Sequence, residues 1–354
     1  MLRILCILLF ICRAGFTAEL EPIRVSDDKT GFVREKSKTP FVPWGFNYDH
    51  DDGGRLIEDY WDAEWPKIET AFRDMKKMGA NVTRIHLQFG KFMESAAKPN
   101  EKALAKLADL VALAEKTELY IDLTGLACYH KEDTPAWYEA LSEQERWAAQ
   151  AVFWEAVAAR CAKSPAIFCY DLMNEPVSPV AKRKEWITGK FGNSYFIQCI
   201  ALDPAGRTST QIAKAWIKML VAAIRKTGAK QMVTVGELHG TAQRADAWSG
   251  FDPKELDELD YISVHIYPEK GKVDEALKIL EKFSVGKPVV IEETFVLKCG
   301  PDEFGKFFEQ SKKHASGWIG FYWGKPPEEL RESKKIGDKI MLSWLDFFTA
   351  NAPK

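Results

Sequence analysis

The sequence lacks the marks of several common protein classes. It carries no Lys/Arg run or basic stripe that would track phosphates, and its formal net charge is only -2, so nucleic acid is not an expected partner. It has no Cys-x-x-Cys or Cys/His ligand spacing, which argues against a structural zinc site. Two of its seven cysteines, Cys6 and Cys12, lie in the opening segment. The five others, Cys128, Cys161, Cys169, Cys199 and Cys299, are an odd number without framework spacing, leaving open one disulfide that involves Cys128 or Cys299. No glycine-rich dinucleotide fingerprint, Ser/Gly linker or charge block interrupts the chain, so one domain over residues 22–354 is expected. The apolar run 4–12 behind Arg3 is too short to span a bilayer and has the form of a secretory signal, with cleavage expected after Ala18. A secreted or periplasmic protein, monomeric and without a membrane anchor after cleavage, is the expectation.

What the chain does have is alternation. Short apolar runs at 42–47, 81–87, 119–124, 166–173, 232–235, 261–265, 289–292 and 318–323 read as strands. Between them lie helix-period segments. One has Ile68, Phe72 and Met75 on one face, with Pro66 at its start and Gly79 at its end. Another steps through Ile212, Trp216, Leu220 and Ile224 and closes at Gly228. Further helices are expected at 103–116, 143–161, 273–283, 303–314 and 340–348. Eight such alternations without a nucleotide fingerprint favour an α/β fold of the closed (β/α)8 TIM-barrel type over an open doubly wound sheet. The segment 177–207, rich in aromatics, is too long for a plain connection and is read as an extended loop after strand four forming an ordered lid or wall beside the site, with disorder as the alternative.

In such a barrel the active site forms at the carboxyl ends of the strands. Glu175 follows the fourth apolar run in Tyr170-Asp171-Leu172-Met173-Asn174-Glu175-Pro176, and Glu293 closes the seventh in Ile291-Glu292-Glu293-Thr294. A strand that delivers a carboxylate to its mouth pays heavily in desolvation, which points to catalysis. Two facing carboxyls can divide acid and nucleophile roles, and a gap of ~5–5.5 Å suits retaining glycoside hydrolysis whereas ~6.5–9.5 Å suits inversion. Twelve Trp supply flat apolar faces of the kind that pack on sugar rings, although most are expected in the core.

With these motifs the chain resembles glycoside hydrolase family 5, retaining (β/α)8 enzymes with catalytic residues on strands four and seven. The resemblance runs from about Phe41 to Trp323 and implies Glu175 as acid/base and Glu293 as nucleophile. It also implies that Asn174 holds the sugar 2-hydroxyl and that Arg84, at the second strand, keeps the nucleophile ionised. In Val264-His265-Ile266-Tyr267, Tyr267 donates to the nucleophile and His265 supports the substrate or the acid/base network, while Trp323 forms a platform under the sugar. The implied substrate is an oligo- or polysaccharide with β-links of mannan or glucan type, cut without metal or other cofactor. A transglycosylase on the same carboxylates, a silent carbohydrate-binding barrel and a metal-dependent barrel isomerase are the rival readings.

Several positions depart from the family pattern or fit it loosely. Thr124 stands where many members place a strand-three His, and His130 is a candidate to fill that space. Of the adjacent Glu292 and Glu293, strand period two predicts that one faces the barrel axis, and family register selects Glu293. Asp49, His50, Asp51 and Asp52 read as an acidic surface turn, and Glu237 and His239 as loop residues within reach of sugar. Trp44, Trp137 and Trp248 are candidate platforms, and the sequon at Asn81 opens a strand, where glycosylation is not expected.

Overall fold

Eight parallel strands pair in sequence order into a closed barrel: β1 (Trp44–Asn47), β2 (Val82–Gln88), β3 (Tyr120–Ala127), β4 (Ile167–Asn174), β5 (Met232–Leu238), β6 (Ile262–His265), β7 (Val289–Thr294) and β8 (Gly317–Gly320). The computed structural model describes residues 20–238, 250–321 and 323–353. The expected leader, Cys6, Cys12, His239 and Trp248 lie outside these residues. Every expected strand is present, although β8 stops at Gly320, so Trp323 stands beyond its end rather than in it.

Helices Trp65–Lys77, Glu101–Thr117, Glu143–Cys161, Ser209–Lys226, Val273–Lys282, Pro301–Ser311 and Ile336–Asn351 cover the barrel. Their starts and stops are those the sequence encodes. Pro66 opens the first of them, and Gly79, at φ +91°, follows its end where a side chain would strain the left-handed backbone. Thr208 caps Ser209–Lys226 through the Gln211 N–H, and Ile212, Trp216, Leu220 and Ile224 are buried in one stripe.

The amino-terminal mouth of the barrel is plugged. An antiparallel three-stranded sheet of Ile23–Val25, Phe32–Arg34 and Pro40–Phe41 sends Phe32 edge-on to Phe168 and Tyr261, with ring centroids 5.4 and 5.3 Å apart. The carboxyl end is left for function. There the segment after β4 forms a hairpin, Ile187–Phe191 with Ser194–Cys199, tied back to Pro176–Val177. It is the ordered wall expected from the sequence. Trp147 Nε1 donates to Ile200 O at 2.6 Å, and Arg207 grips Glu143 through both terminal nitrogens at 2.6 and 2.9 Å. The buried Arg146 guanidinium lies 3.6 Å from the Tyr138 ring centroid and 4.6 Å from that of Trp186.

Other expectations are corrected. All five described cysteines are free, four of them buried, so no disulfide forms among them. Trp44 is core, stacked on Phe348 at 4.6 Å, rather than a platform. Trp137, beside Phe89 and Tyr138, is half-buried and keeps an open face. As expected of a sequon without use, the Asn81 amide is engaged by the backbone at and just before β1, accepting from Trp44 N at 2.9 Å and donating to Val42 O at 2.8 Å. No described helix is long and apolar enough to cross a membrane.

Candidate active site

Two local departures from regular strand geometry build the site. On the β6–β7 ladder Val264 pairs with Ile291 but His265 pairs with Glu293, so Glu292 is an extra residue and the strand bulges there. The bulge overturns the expectation that only one of the two glutamates faces inward. Glu293 reaches the pocket, and Glu292 is fully buried beneath it, 3.4 Å from the Arg84 guanidinium and 3.5 Å from His265 Nε2. On β4 the chain leaves the barrel at Asn174, and Glu175 adopts φ +45°, a left-handed conformation that costs a non-glycine residue and here aims the carboxylate. Its backbone N–H is fixed on Gly236 O at 2.8 Å.

Glu293 sits between two donors. Arg84 Nη1 donates to Oε1 at 2.6 Å and the Tyr267 hydroxyl to Oε2 at 2.7 Å. Burial and the neighbouring Glu293 charge push the Tyr267 phenol well above its ordinary value, so it stays a donor. Glu175 Oε1 lies 2.9 Å from His265 Nδ1, and the same nitrogen is 3.4 Å from Glu293 Oε2. Carboxylate oxygens of Glu175 and Glu293 lie within 4.8 Å of each other, with His265 between them.

Arg84 is the hub. Buried completely, it also donates through Nη2 to Asp171 at 2.7 Å and to Asn174 Oδ1 at 3.1 Å, and through Nη1 to Asn47 Oδ1 at 3.0 Å. Those contacts fix the Asn174 amide with its nitrogen outward, donating to Phe196 O at 2.9 Å in the hairpin wall. Burial and the Glu292 charge raise Asp171 to about 6 against the lowering pull of Arg84, while Asp171 also accepts from Thr124 and from Gly236 N. Thr124, in the place of the expected strand-three His, therefore supports Asp171 beneath the pocket.

The space above β3 is filled by Tyr129 rather than His130. His130 turns outward, 3.7 Å from Asp133. The Tyr129 hydroxyl donates to His86 Nδ1 at 2.5 Å, and His86 Nε2 donates to Asn47 Oδ1 at 3.1 Å. That tautomer follows from the network, because Asn47 Nδ2 is already donating to Glu292 O at 2.9 Å. Burial and the Arg84 charge hold His86 well below its ordinary value, hence neutral.

Asn47, His86, Tyr129 and Asp171 were not singled out in the sequence. His86 carried a legible signal, since it lies two residues beyond Arg84 and so on the same face of β2. Asp171 carried another, as a lone acid inside an apolar run. Asn47 was legible as the last residue of the first strand, whereas Tyr129 depends on loop geometry that sequence does not encode locally.

Asp49 and Asp51 are buried, which corrects the reading of a surface turn. Asp49 pairs with His50 at 2.7 Å, and Asp51 holds Arg55 and Lys67 at 2.8 and 2.7 Å. Glu237 is buried at the end of β5 rather than solvated. Trp323 is at the same end of the barrel but only 2% exposed, packed against Phe46 with ring centroids 5.4 Å apart.

Among the described residues, two clusters bring three possible cation ligands together: Glu175, His265 and Glu293, and below them Asp122, Asp171 and Glu292. The Arg84 guanidinium bonds or faces acids of both clusters and supplies the positive charge that a metal would bring.

A family model described as cellulase (glycosyl hydrolase family 5) matches residues 40–325. Solved structures similar to the chain include an exo-β-1,4-mannosidase of Opitutaceae bacterium strain TAV5, at TM-score 0.70 and 14% identity over 93% of this chain and 61% of that one. The chain thus spans less than two thirds of that relative's length. A β-1,4-mannanase of the sea hare Aplysia kurodai aligns at TM-score 0.58 and 14% identity, over 85% of this chain and 92% of that one. A GH5_18 protein of Bifidobacterium longum subsp. longum, solved with Manβ1-4GlcNAc, aligns at TM-score 0.60 and 15% identity, over 88% and 73%. A search of curated proteins finds no match.

Proposed function

Because the chain belongs to glycosyl hydrolase family 5, we propose that it hydrolyses β-mannosidic bonds with retention of configuration, Glu175 serving as acid/base and Glu293 as nucleophile. The observation that carries this reading is the close approach of the two carboxylates, Glu175 Oε1 and Glu293 Oε2 lying 2.9 and 3.4 Å from the same His265 Nδ1, as an acid/base and a nucleophile on one sugar must. Glu293 attacks the anomeric carbon while Arg84 and Tyr267 hold its two oxygens in line. Glu175 gives its proton to the departing glycosidic oxygen, then takes one from the water that releases the sugar from Glu293. The amide hydrogen of Asn174 that is not spent on Phe196 meets the sugar 2-hydroxyl. Trp323, 2% exposed and packed on Phe46, has little area left for a sugar, and His265 acts on Glu175 rather than on the sugar.

The choice of mannose rests on the mannosidase, the mannanase and the Manβ1-4GlcNAc complex among the similar structures. A panel of β-mannan, galactomannan, mixed-linkage glucan and cellulose oligomers, with product sizing, tests it. Release of mannose or manno-oligosaccharides is expected, and turnover of glucans alone would replace the sugar assignment. Export is supported by the charged start and apolar run of residues 1–18. N-terminal sequencing of the expressed protein is expected to begin at Glu19, and a product beginning at Met1 would overturn export.

A further inference from the structure

Beneath the two catalytic carboxylates lies a third, Glu292, that the proposed reaction leaves without a task. A carboxylate with no exposed surface is costly and persists only where something charged faces it. Two cations do. Its Oε2 lies 3.4 Å from Arg84 Nη2 and 3.5 Å from His265 Nε2, and those same two residues hold Glu293 and Glu175. The approach is made possible by Gly236 on β5. A Cβ there would come within 2.7 Å of Arg84 Nη2, 2.9 Å of Glu292 Oε2 and 3.0 Å of His265 Nε2. Three charged tips therefore converge on one backbone carbon that has no side chain.

We infer that Glu292 is a positioning residue: it acts through His265, fixing the charge and aim of the imidazole so that Nδ1–H remains on Glu175 while Glu175 surrenders its proton. The inference rests on the assignment of Glu175 as acid/base. Glu175 gives a proton from one oxygen to the leaving group, and the imidazolium stays hydrogen-bonded to the other, stabilising the carboxylate that forms. No proton need leave the buried chain. Glu292 supplies the anion on the far side of the ring, and the β7 bulge is the structural device that brings it there.

The surrounding charges are consistent with this arrangement. His265 faces Arg84 from β2, Glu175 after β4, and Glu292 and Glu293 from β7. Burial pushes the imidazole down, but Glu293, Glu175 and Glu292 outweigh it and hold it at about 10, so the ring is a cation at neutral pH. Glu292 itself faces Arg84, His265, Asp122 on β3 and Asp171 and Cys169 on β4, with Tyr261 just before β6. Burial raises it, yet Arg84, His265 and Asp122 hold it well below the usual carboxylate range. Burial and the Glu292 charge push Asp122 the other way, so of the two neighbouring acids Asp122 is the one that keeps its proton.

Glu292→Gln keeps the shape and removes the charge. Taking a negative charge from behind an imidazolium weakens its hold on the proton, so nitrogen-15 NMR of histidine-labelled protein should show His265 losing that proton ~1 unit or more lower in pH than in the wild type. Kinetics give the second reading. With phenyl β-mannoside, whose poor leaving group needs the acid, kcat/KM should fall ~10-fold or more, whereas with dinitrophenyl β-mannoside it should stay within ~3-fold. The alkaline limb of the pH profile for the phenyl substrate should move to lower pH. Equal losses on both substrates, or an unmoved His265 titration, would overturn the inference and leave Glu292 a structural acid. If the variant does not fold, the wild-type titration decides, since a His265 already neutral at pH 8 is incompatible with it. Failure of the functional reading looks different: wild-type protein would cleave neither mannoside, while the NMR titration would still report whether Glu292 controls His265.

Discussion

Arg84→Lys separates what a positive charge does in this site from what a guanidinium does. Arg84 bridges Glu293 at 2.6 Å and Asp171 at 2.7 Å with different nitrogens, while also donating to Asn47 and Asn174. Lysine keeps the charge, so the buried acids remain compensated and the fold should survive. Its single ammonium has no fork with which to span β4 and β7 at once. At least one charge-assisted hydrogen bond is lost, worth ~1.5–3 kcal/mol. If the lost bond is the one to the nucleophile and is felt in the transition state, kcat/KM falls ~10- to 150-fold. Arg84→Met differs in kind, because it strands buried carboxylates and should cost ~3–5 kcal/mol of stability. The assay is initial-rate kinetics on an aryl β-mannoside beside thermal melting. Arg84→Lys with kcat/KM within twofold of wild type would refute the claim that the fork, rather than its charge alone, holds Glu293.

Three further outcomes follow from the same geometry. Gly236→Ala drives a methyl into Arg84, Glu292 and His265 at 3.0 Å or less, and should cost ~1–3 kcal/mol in the melt with a larger fractional loss of activity; unchanged kcat/KM would show that the three charged tips need not converge. Asp51 is raised by burial but held down at about 2 by Lys67 and Arg55, so its contribution to stability is present above its ordinary value of 3.8 and lost as pH falls through 2. Asp51→Asn should therefore lower the melting temperature at pH 6 and flatten its decline between pH 4 and pH 2, and parallel acid profiles would contradict this. Tyr129→Phe removes the donor to the neutral His86 and should disturb the Asn47 contact to Arg84, reducing activity ~10-fold, whereas His130→Ala, outside the network, should change it less than twofold.

The barrel was legible because its signals are local. Apolar runs, helix stripes such as Ile212, Trp216, Leu220 and Ile224, and stops such as Gly79 report on their own segments, and closure follows from their alternation. Residues at strand ends were legible for the same reason, and Arg84, Asn174, Glu175, His265, Tyr267 and Glu293 do converge. What failed were arguments extending a regular period through an irregular place. Period two placed Glu292 outside the barrel, whereas the bulge against β6 turns it inward. Proximity in sequence nominated His130, whereas the backbone of the loop delivers Tyr129. Composition read Asp49 to Asp52 as a solvated turn, yet Arg55 and Lys67 make it favourable to bury Asp51. Trp44 looked available for sugar until Phe348, some three hundred residues on, covered its face.

The central claim is that Glu293 and Glu175 form a retaining pair acting on a β-mannoside. Proton NMR of the first sugar released from an aryl β-mannoside, recorded before mutarotation, tests it most directly. Retention requires the β-anomer to appear first, with Glu293→Ala abolishing its formation. Initial release of the α-anomer, or retained turnover in Glu293→Ala, would contradict it.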